Sequence, residues 1–218
     1  MNVPTPQCLL LDFDGPVCGV FAGLPASSAA ANLARTLAPP VPTEVSNFID
    51  PFDVLRYAAE HRREELDEVE RHFATIELGA IRQARPTEGA AELIRAAANR
   101  PSMCVAIVSN NSVPAINAYL DAHDLRTHIT GVFARRSADV SRLKPAPALL
   151  LEALDALGCS ANQTVFVGDS LTDIQAGHAA NVPVIAFANR PEKAERFIAA
   201  SPLGIVTSMA QLHDRLAL

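Results

Sequence analysis

Six side chains in this 218-residue sequence have the types that phosphoryl transfer needs: Asp12, Asp14, Ser109, Lys144, Asp169 and Asp173. Asp12, Asp14, Ser109 and Asp169 each follow directly or closely on a strand-like apolar run, and Asp173 lies one helical turn beyond Asp169. Such positions gather at the carboxyl edge of one parallel sheet. Carboxylates crowded there repel one another unless a cation lies among them. Oxygen ligands of this kind suit Mg2+, which is commonly held by one or two carboxylates together with substrate phosphate. The clustering therefore predicts a metal. Phosphoryl transfer also needs an in-line nucleophile, neutralised equatorial oxygens and a proton donor for the leaving group. A carboxylate can be the nucleophile and form an aspartyl-phosphate. Lys144 supplies positive charge, and Ser109 with nearby backbone N–H groups supplies hydrogen bonds.

The elements that must position these groups can be read from the apolar pattern. Cys8 to Leu11 is a short, continuously apolar run, as expected of a strand covered on both faces, and Gly15-Pro16 breaks the chain after it. From Pro86 onward strands and helices alternate. Strands are expected at Met103–Val108, Gly131–Phe133, Thr164–Val167 and Val182–Phe187. Helices are expected at Thr87–Asn99, Val113–Ala122, Ala146–Leu157 (ended by Gly158), Leu171–Ala180, Glu192–Ala200 and Met209–Leu216. Between the first strand and this series no strand pattern occurs. One helix is expected over Ser27–Leu37 with Ser27 or Ser28 as its cap, one from Asp50-Pro51 to about Arg63, and one from about Glu65 to Gln83. The fold class is thus α/β, a Rossmann-like parallel sheet core with an inserted α-helical cap. The core is 1–17 and 86–218 and the cap 18–85, placed at the strand end where ligands bind.

The bulk composition agrees. Hydrophobic residues make up 49% of the chain, enough for a sizeable core. The formal net charge of -6, with no basic stripe, argues against a nucleic-acid partner. No apolar run approaches a membrane span, and Met1 to Gln7 lacks a secretory pattern, so a soluble cytoplasmic protein with reduced thiols is expected. Cys8, Cys18, Cys104 and Cys159 show no zinc-like spacing, and Cys8 and Cys104 read as buried thiols beside strands.

Taken together, Asp12-Phe13-Asp14-Gly15-Pro16-Val17 resembles the first motif of the haloacid dehalogenase superfamily, D-x-D-G-T-[LV]. Val108-Ser109-Asn110-Asn111 resembles the second, Lys144-Pro145-Ala146-Pro147 the third, K-P-x-P, and Gly168-Asp169-Ser170-Leu171-Thr172-Asp173 the fourth, G-D-S-x-x-D. The resemblance covers Cys8 to Asn189, with the insertion similar only in position and helical character. It implies that Asp12 attacks phosphorus while Asp14 protonates the leaving group and then activates water. Mg2+ would be held by Asp12, the Asp14 carbonyl and Asp169. Ser109, Asn110 (through its backbone N–H) and Lys144 would bind the phosphate, and Asp173 would support the metal or Lys144. One departure stands out. Pro16 replaces the family's Thr and removes a hydroxyl and a backbone N–H from the turn.

Asp14 favours a phosphatase over a dehalogenase, because halide leaves without a proton. The expected activity is Mg2+-dependent hydrolysis of a small phosphate monoester. A sugar phosphomutase, or a non-catalytic binding protein on the same scaffold, are the alternatives. Arg56, His61, Arg62, Arg63 and His72 read as a solvated face of the insertion. Phe21 to Pro25 reads either as a flap or as packing between insertion and core.

Overall fold

The computed structural model describes residues 6–218; Met1 to Thr5, which begin the segment expected to lack a leader, lie outside them. The chain runs β1 (Cys8–Leu11), β2 (Cys18–Gly19), α1 (Ala26–Ala34), α2 (Thr43–Ser46), α3 (Pro51–His61), α4 (Leu66–Ile81), β3 (Arg85–Pro86), α5 (Ala90–Ala98) and β4 (Cys104–Ser112). It continues through α6 (Val113–Ala122), β5 (Gly131–Arg135), α7 (Ala148–Leu157), β6 (Thr164–Gly168), α8 (Leu171–Ala179), β7 (Val184–Phe187), α9 (Pro191–Ala199), β8 (Gly204–Val206) and α10 (Met209–Leu216).

Among the described residues the main sheet has six parallel strands in the order β5-β4-β1-β6-β7-β8. The continuously apolar β1 has a simple physical basis. Successive strand side chains point to opposite faces, so Leu9 and Leu11 join one buried cluster and Cys8 and Leu10 the other. Both faces are covered by helices, and each fully buried leucine contributes about 1.5–3 kcal/mol relative to exposure. After β1 the chain lays down β4 and β5 on one side and then returns to place β6, β7 and β8 on the other. The order reverses beside β1, which is the switch point where a crevice opens at the carboxyl ends of the strands.

The starts of α3 and α1 show two different local chemistries. Asp50 caps α3 by accepting from the Phe52 N–H (2.9 Å), with Pro51 at the first helical position. α1 starts at Ala26, and neither Ser27 nor Ser28 caps it. Extended Pro25 sets the first turn instead, its carbonyl accepting from the Ser28 N–H at 2.8 Å. Gly158 (φ 63°) ends α7 as expected. The sequence reading did not anticipate β8, the one-turn α2, or the antiparallel pair β2–β3.

The helices α1, α3 and α4 enclose their own cluster around Leu33, Val54, Leu55, Val69 and Phe73. Phe21 and Leu24 pack against both this cluster and the core cluster, so Phe21 to Pro25 is packing between the two. At the end of α4, Ala80 and Ile81 belong to the core cluster. No helix among the described residues is long and apolar enough to cross a membrane. Cys8 is buried, but Cys104 is only half-buried, because it lies at the open amino end of β4.

Candidate active site

Asp12 follows the last residue of β1, and its N–H continues the sheet by donating to the Val167 carbonyl of β6 (2.8 Å). One carboxylate oxygen, Oδ1, accepts from the Phe13 N–H at 2.7 Å and lies 2.8 Å from Lys144 Nζ. The same ammonium donates to Asp173 Oδ1 (2.5 Å) and to the Val108 carbonyl (3.3 Å). Lys144 is therefore a buried cation shared by two carboxylates. Although burial alone would lower its pKa, Asp12 and Asp173 hold it above the ordinary lysine value.

A strand and a helix position Lys144. Asn110, near the carboxyl end of β4, clamps its backbone from both sides: Lys144 N–H donates to Asn110 Oδ1 (2.8 Å), and Asn110 Nδ2 donates to the Lys144 carbonyl (3.1 Å). Asp173 is oriented by the start of α8. Its Oδ2 accepts from the Asp169 and Ser170 N–H groups at 3.1 and 3.0 Å, completing a reciprocal cap with Ser170. Ser109 is buried beside this set, its hydroxyl donating to Asn111 Oδ1 at 3.1 Å.

Asp14 lies on the turn after β1, with Oδ1 accepting from the Val20 N–H (2.9 Å). Pro16 does not disturb this turn. It is closed by Val17 and Cys18 N–H groups on the Phe13 carbonyl (3.2 and 3.1 Å) and by Gly15 N–H on the Cys18 carbonyl (2.7 Å), none of which needs an N–H at Pro16. Thr87 also donates its hydroxyl to the Gly15 carbonyl at 2.5 Å. Gly15 itself has φ +119°, and a Cβ there would stand 2.3 Å from Asp169 Cγ. A Cβ on Gly168 would stand 2.3 Å from Asp173 Cβ. Two glycines thus let the carboxylates approach the backbone closely.

The electrostatics are unbalanced. Asp12, Asp14, Asp169 and Asp173 face Lys144 and Lys193, the latter paired with Asp169. Two negative charges are left unmatched. Burial pushes Asp12 up to about 7 against the pull of Lys144, with Asp173 and Asp169 adding to the rise. Burial pushes Asp14 up to about 6 despite its bond to the Val20 N–H. Asp169 is likewise raised by burial in spite of Lys193. Carboxylate oxygens of Asp12, Asp169 and Asp173 lie within 4.8 Å of one another, so this cluster can hold a divalent cation. The donor set is hard oxygen and its charge deficit matches such an ion, so the residues fit a metal of the Mg2+ type.

Three contributors escaped the sequence reading. Lys193, in the first turn of α9, reaches Asp169, and only the strand order shows that α9 starts beside β6. Glu77, fully buried on α4, accepts from Asn111 Nδ2 (2.9 Å) and the Ser112 N–H (3.1 Å). Arg135, at the end of β5, pairs with Glu77 and Glu70, donates to the Asn110 carbonyl (3.0 Å), and lies 4.3 Å from the Phe73 ring centroid. A signal for Glu77 was present, since it sits four residues after Phe73 on the apolar stripe of α4. Elsewhere in the insertion, Arg56 pairs with Asp53 (3.0 Å), Arg62 donates to the Pro40 carbonyl (2.7 Å), and His72 contacts Asn32 (3.4 Å).

Comparison with known proteins places this geometry. A phosphoglycolate phosphatase from Salmonella choleraesuis is 30% identical over 122 residues, which is 56% of this chain and 48% of that protein. The chain thus aligns with about half the length of that relative. The crystal structure of CbbY from Rhodobacter sphaeroides in complex with phosphate superposes with a TM-score of 0.73 at 19% identity, covering 98% of this chain and 100% of that one. YfnB from Bacillus subtilis, in a form bound to magnesium, superposes with a TM-score of 0.68 at 17% identity, over 99% and 100% of the two chains. Residues 9–187 match the family described as haloacid dehalogenase-like hydrolase. With that match over most of its length, on a sheet whose carboxyl edge carries all four motifs, the chain belongs to the haloacid dehalogenase-like hydrolases.

Proposed function

We propose that this protein is a Mg2+-dependent phosphatase that hydrolyses a small phosphate monoester through an aspartyl-phosphate on Asp12. The observation that carries the reading is the anchoring of Asp12. One of its oxygens is fixed by Lys144 and the Phe13 N–H, and Oδ2 has no donor among the described residues. Oδ2 is therefore the oxygen available for attack. When bound, the cation neutralises charge on the transferring phosphoryl oxygens and on the crowded carboxylates.

In the first half-reaction a bond forms from Asp12 oxygen to phosphorus as the ester P–O bond breaks. Asp14, two residues along the same turn, gives its proton to the departing alkoxide, which leaves as an alcohol. In the second, Asp14 takes a proton from water, the hydroxide attacks phosphorus, and the Asp12–phosphorus bond breaks to release phosphate. A carboxyl near 6 suits both duties, because it is neither fully protonated nor fully ionised close to neutrality. Lys144 and Ser109 bind the phosphate oxygens, with the backbone N–H of Asn110 beside them. Asp173 acts through Lys144, which it touches. Asp12, the carbonyl of Asp14, and Asp169 are the residues assigned to the metal.

The names of relatives support the substrate class. The Salmonella relative is called a phosphoglycolate phosphatase, so 2-phosphoglycolate heads the test panel. The test is phosphate release from small phosphate esters, with Mg2+ or with EDTA, for wild type and Asp12→Asn. Metal-dependent release that disappears in the variant supports the reading. Release that persists unchanged in Asp12→Asn removes the covalent mechanism. Turnover that requires a bisphosphate and frees no phosphate would identify a mutase instead.

A further inference from the structure

At the other end of the sheet from Asp12, the structure gathers three of the four cysteines. Cys8 begins β1 and Cys104 begins β4, and the parallel register pairs these two residues directly. Paired positions in adjacent strands present their side chains on the same face, here the face of the cluster that also holds Leu10 and Ala106. The third thiol arrives by a helix end. Gly158 turns the chain out of α7 in the left-handed conformation, and the Cys159 N–H donates to the Leu154 carbonyl (3.0 Å), which holds Cys159 against that face. The Cys104 and Cys159 sulfurs are 3.6 Å apart, and all three sulfurs lie within 4.8 Å of one another.

This is metal-site geometry. Three sulfurs bonded to one ion at about 2.3 Å stand about 4 Å from each other. The three thiols are free, not joined in a disulfide. Without an ion they have only weak partners: Cys104 Sγ donates to the Gln7 carbonyl at 3.5 Å and Cys159 Sγ to the Leu157 carbonyl at 3.6 Å. Cys8 is buried, whereas Cys104 and Cys159 are half-buried beside a cleft of about 380 Å³ that Met103 and Thr130 also line. The cleft gives an ion a way in. No carboxylate or imidazole belongs to the group, so its chemistry is soft throughout. Cys18 packs in the other core cluster and takes no part.

We propose that Cys8, Cys104 and Cys159 form a binding site for a soft, thiophilic cation of the Zn2+, Cd2+ or Cu+ kind, separate from the oxygen-lined phosphate site. Thiolates select such ions. Binding exchanges protons for metal: each S–H gives its proton to solvent as a sulfur–metal bond forms, and the oxidation state of the ion does not change. Cys8 and Asp12 sit at opposite ends of one strand, about 13 Å apart along it. The cation therefore does not touch the phosphate chemistry.

The probe is Cd2+, titrated into the reduced 218-residue chain with Mg2+ in excess to occupy oxygen sites. The readout is the ultraviolet sulfur-to-cadmium charge-transfer band, which carboxylates cannot produce. Wild type and Cys18→Ser are expected to bind one Cd2+ per chain with this band and to gain thermal stability. Cys104→Ser and Cys159→Ser change half-buried positions and are expected to remain folded, which circular dichroism checks, while losing affinity by about tenfold or more. The proposal is overturned if wild type gives no band at micromolar Cd2+, or if the band survives at full height in the Cys104→Ser/Cys159→Ser double variant.

Discussion

At the residue scale, the site is organised by a shortage of positive charge. Two ammonium groups serve four carboxylates, and burial keeps Asp12 and Asp14 at about 7 and about 6. The sign of the pH effect follows. The folded chain retains protons on these two groups that the unfolded chain has already released above their ordinary 3.8. Stability of the metal-free protein is therefore expected to fall as pH rises from about 4 to about 7, and to level off above. Metal binding needs the ionised forms, so Mg2+ affinity should rise over the same window. Thermal unfolding with and without Mg2+ at about pH 5.5 and about pH 7.5 checks both, the larger stabilisation by Mg2+ being expected at the higher pH. Gly15→Ala places a Cβ against Asp169 in a strained backbone region. It should cost about 1–3 kcal/mol in denaturant unfolding and weaken Mg2+ binding in calorimetry. Asp14→Asn keeps the nucleophile but removes the proton carrier. Phospho-enzyme is expected to accumulate or turn over slowly, read by trapping labelled phosphate on the protein.

At the scale of elements, α4 joins the insertion to the core through a buried ion pair. Glu77 and Arg135 are essentially inaccessible to water, and Glu77 also satisfies Asn111 and the Ser112 N–H. Removing one partner of such a pair strands the other. Glu77→Ala should destabilise the fold by about 3–5 kcal/mol in urea or guanidinium unfolding, and Glu77→Gln by less, because the amide oxygen can still accept from the Ser112 N–H and Arg135 although the acceptor for Asn111 is lost. The elements themselves were largely legible. α6 and α10 begin and end where their apolar spacing places them, and β1, β4, β6 and β7 follow from continuous apolar runs. The misses share a cause. Gly204–Val206 is three residues long and only partly buried, so β8 has too little pattern to separate it from a loop, and its strand identity comes from pairing with β7. β4 runs four residues past Val108 because Ser109 to Ser112 find partners in β5 and α4, which lie far away in sequence.

For the whole molecule, the site was legible where a short local motif supplies the residues and illegible where distant segments meet. Asp12, Asp14, Ser109, Lys144, Asp169 and Asp173 come from the carboxyl edge and lie together there. Lys193, Glu77 and Arg135 needed the strand order and the packing of α4, which are tertiary facts with no local signature. The same holds for the thiols, spaced by 96 and 55 residues along the chain yet gathered at one end of the sheet.

The short pair β2–β3 has a consequence for transplantation. Cys18 is paired with Pro86 and Gly19 with Arg85, so the helical insertion leaves and rejoins the core through adjoining strands. In chain path it is a detachable loop, and a tight turn could join the two strands in its place. Energetically it is not detachable, because cutting it out would strip Arg135 of both carboxylates and uncover the core residues that Ala80 and Ile81 seal. A foreign cap grafted onto this doorway must carry an acid that reaches Arg135, or residue 135 must be exchanged along with it.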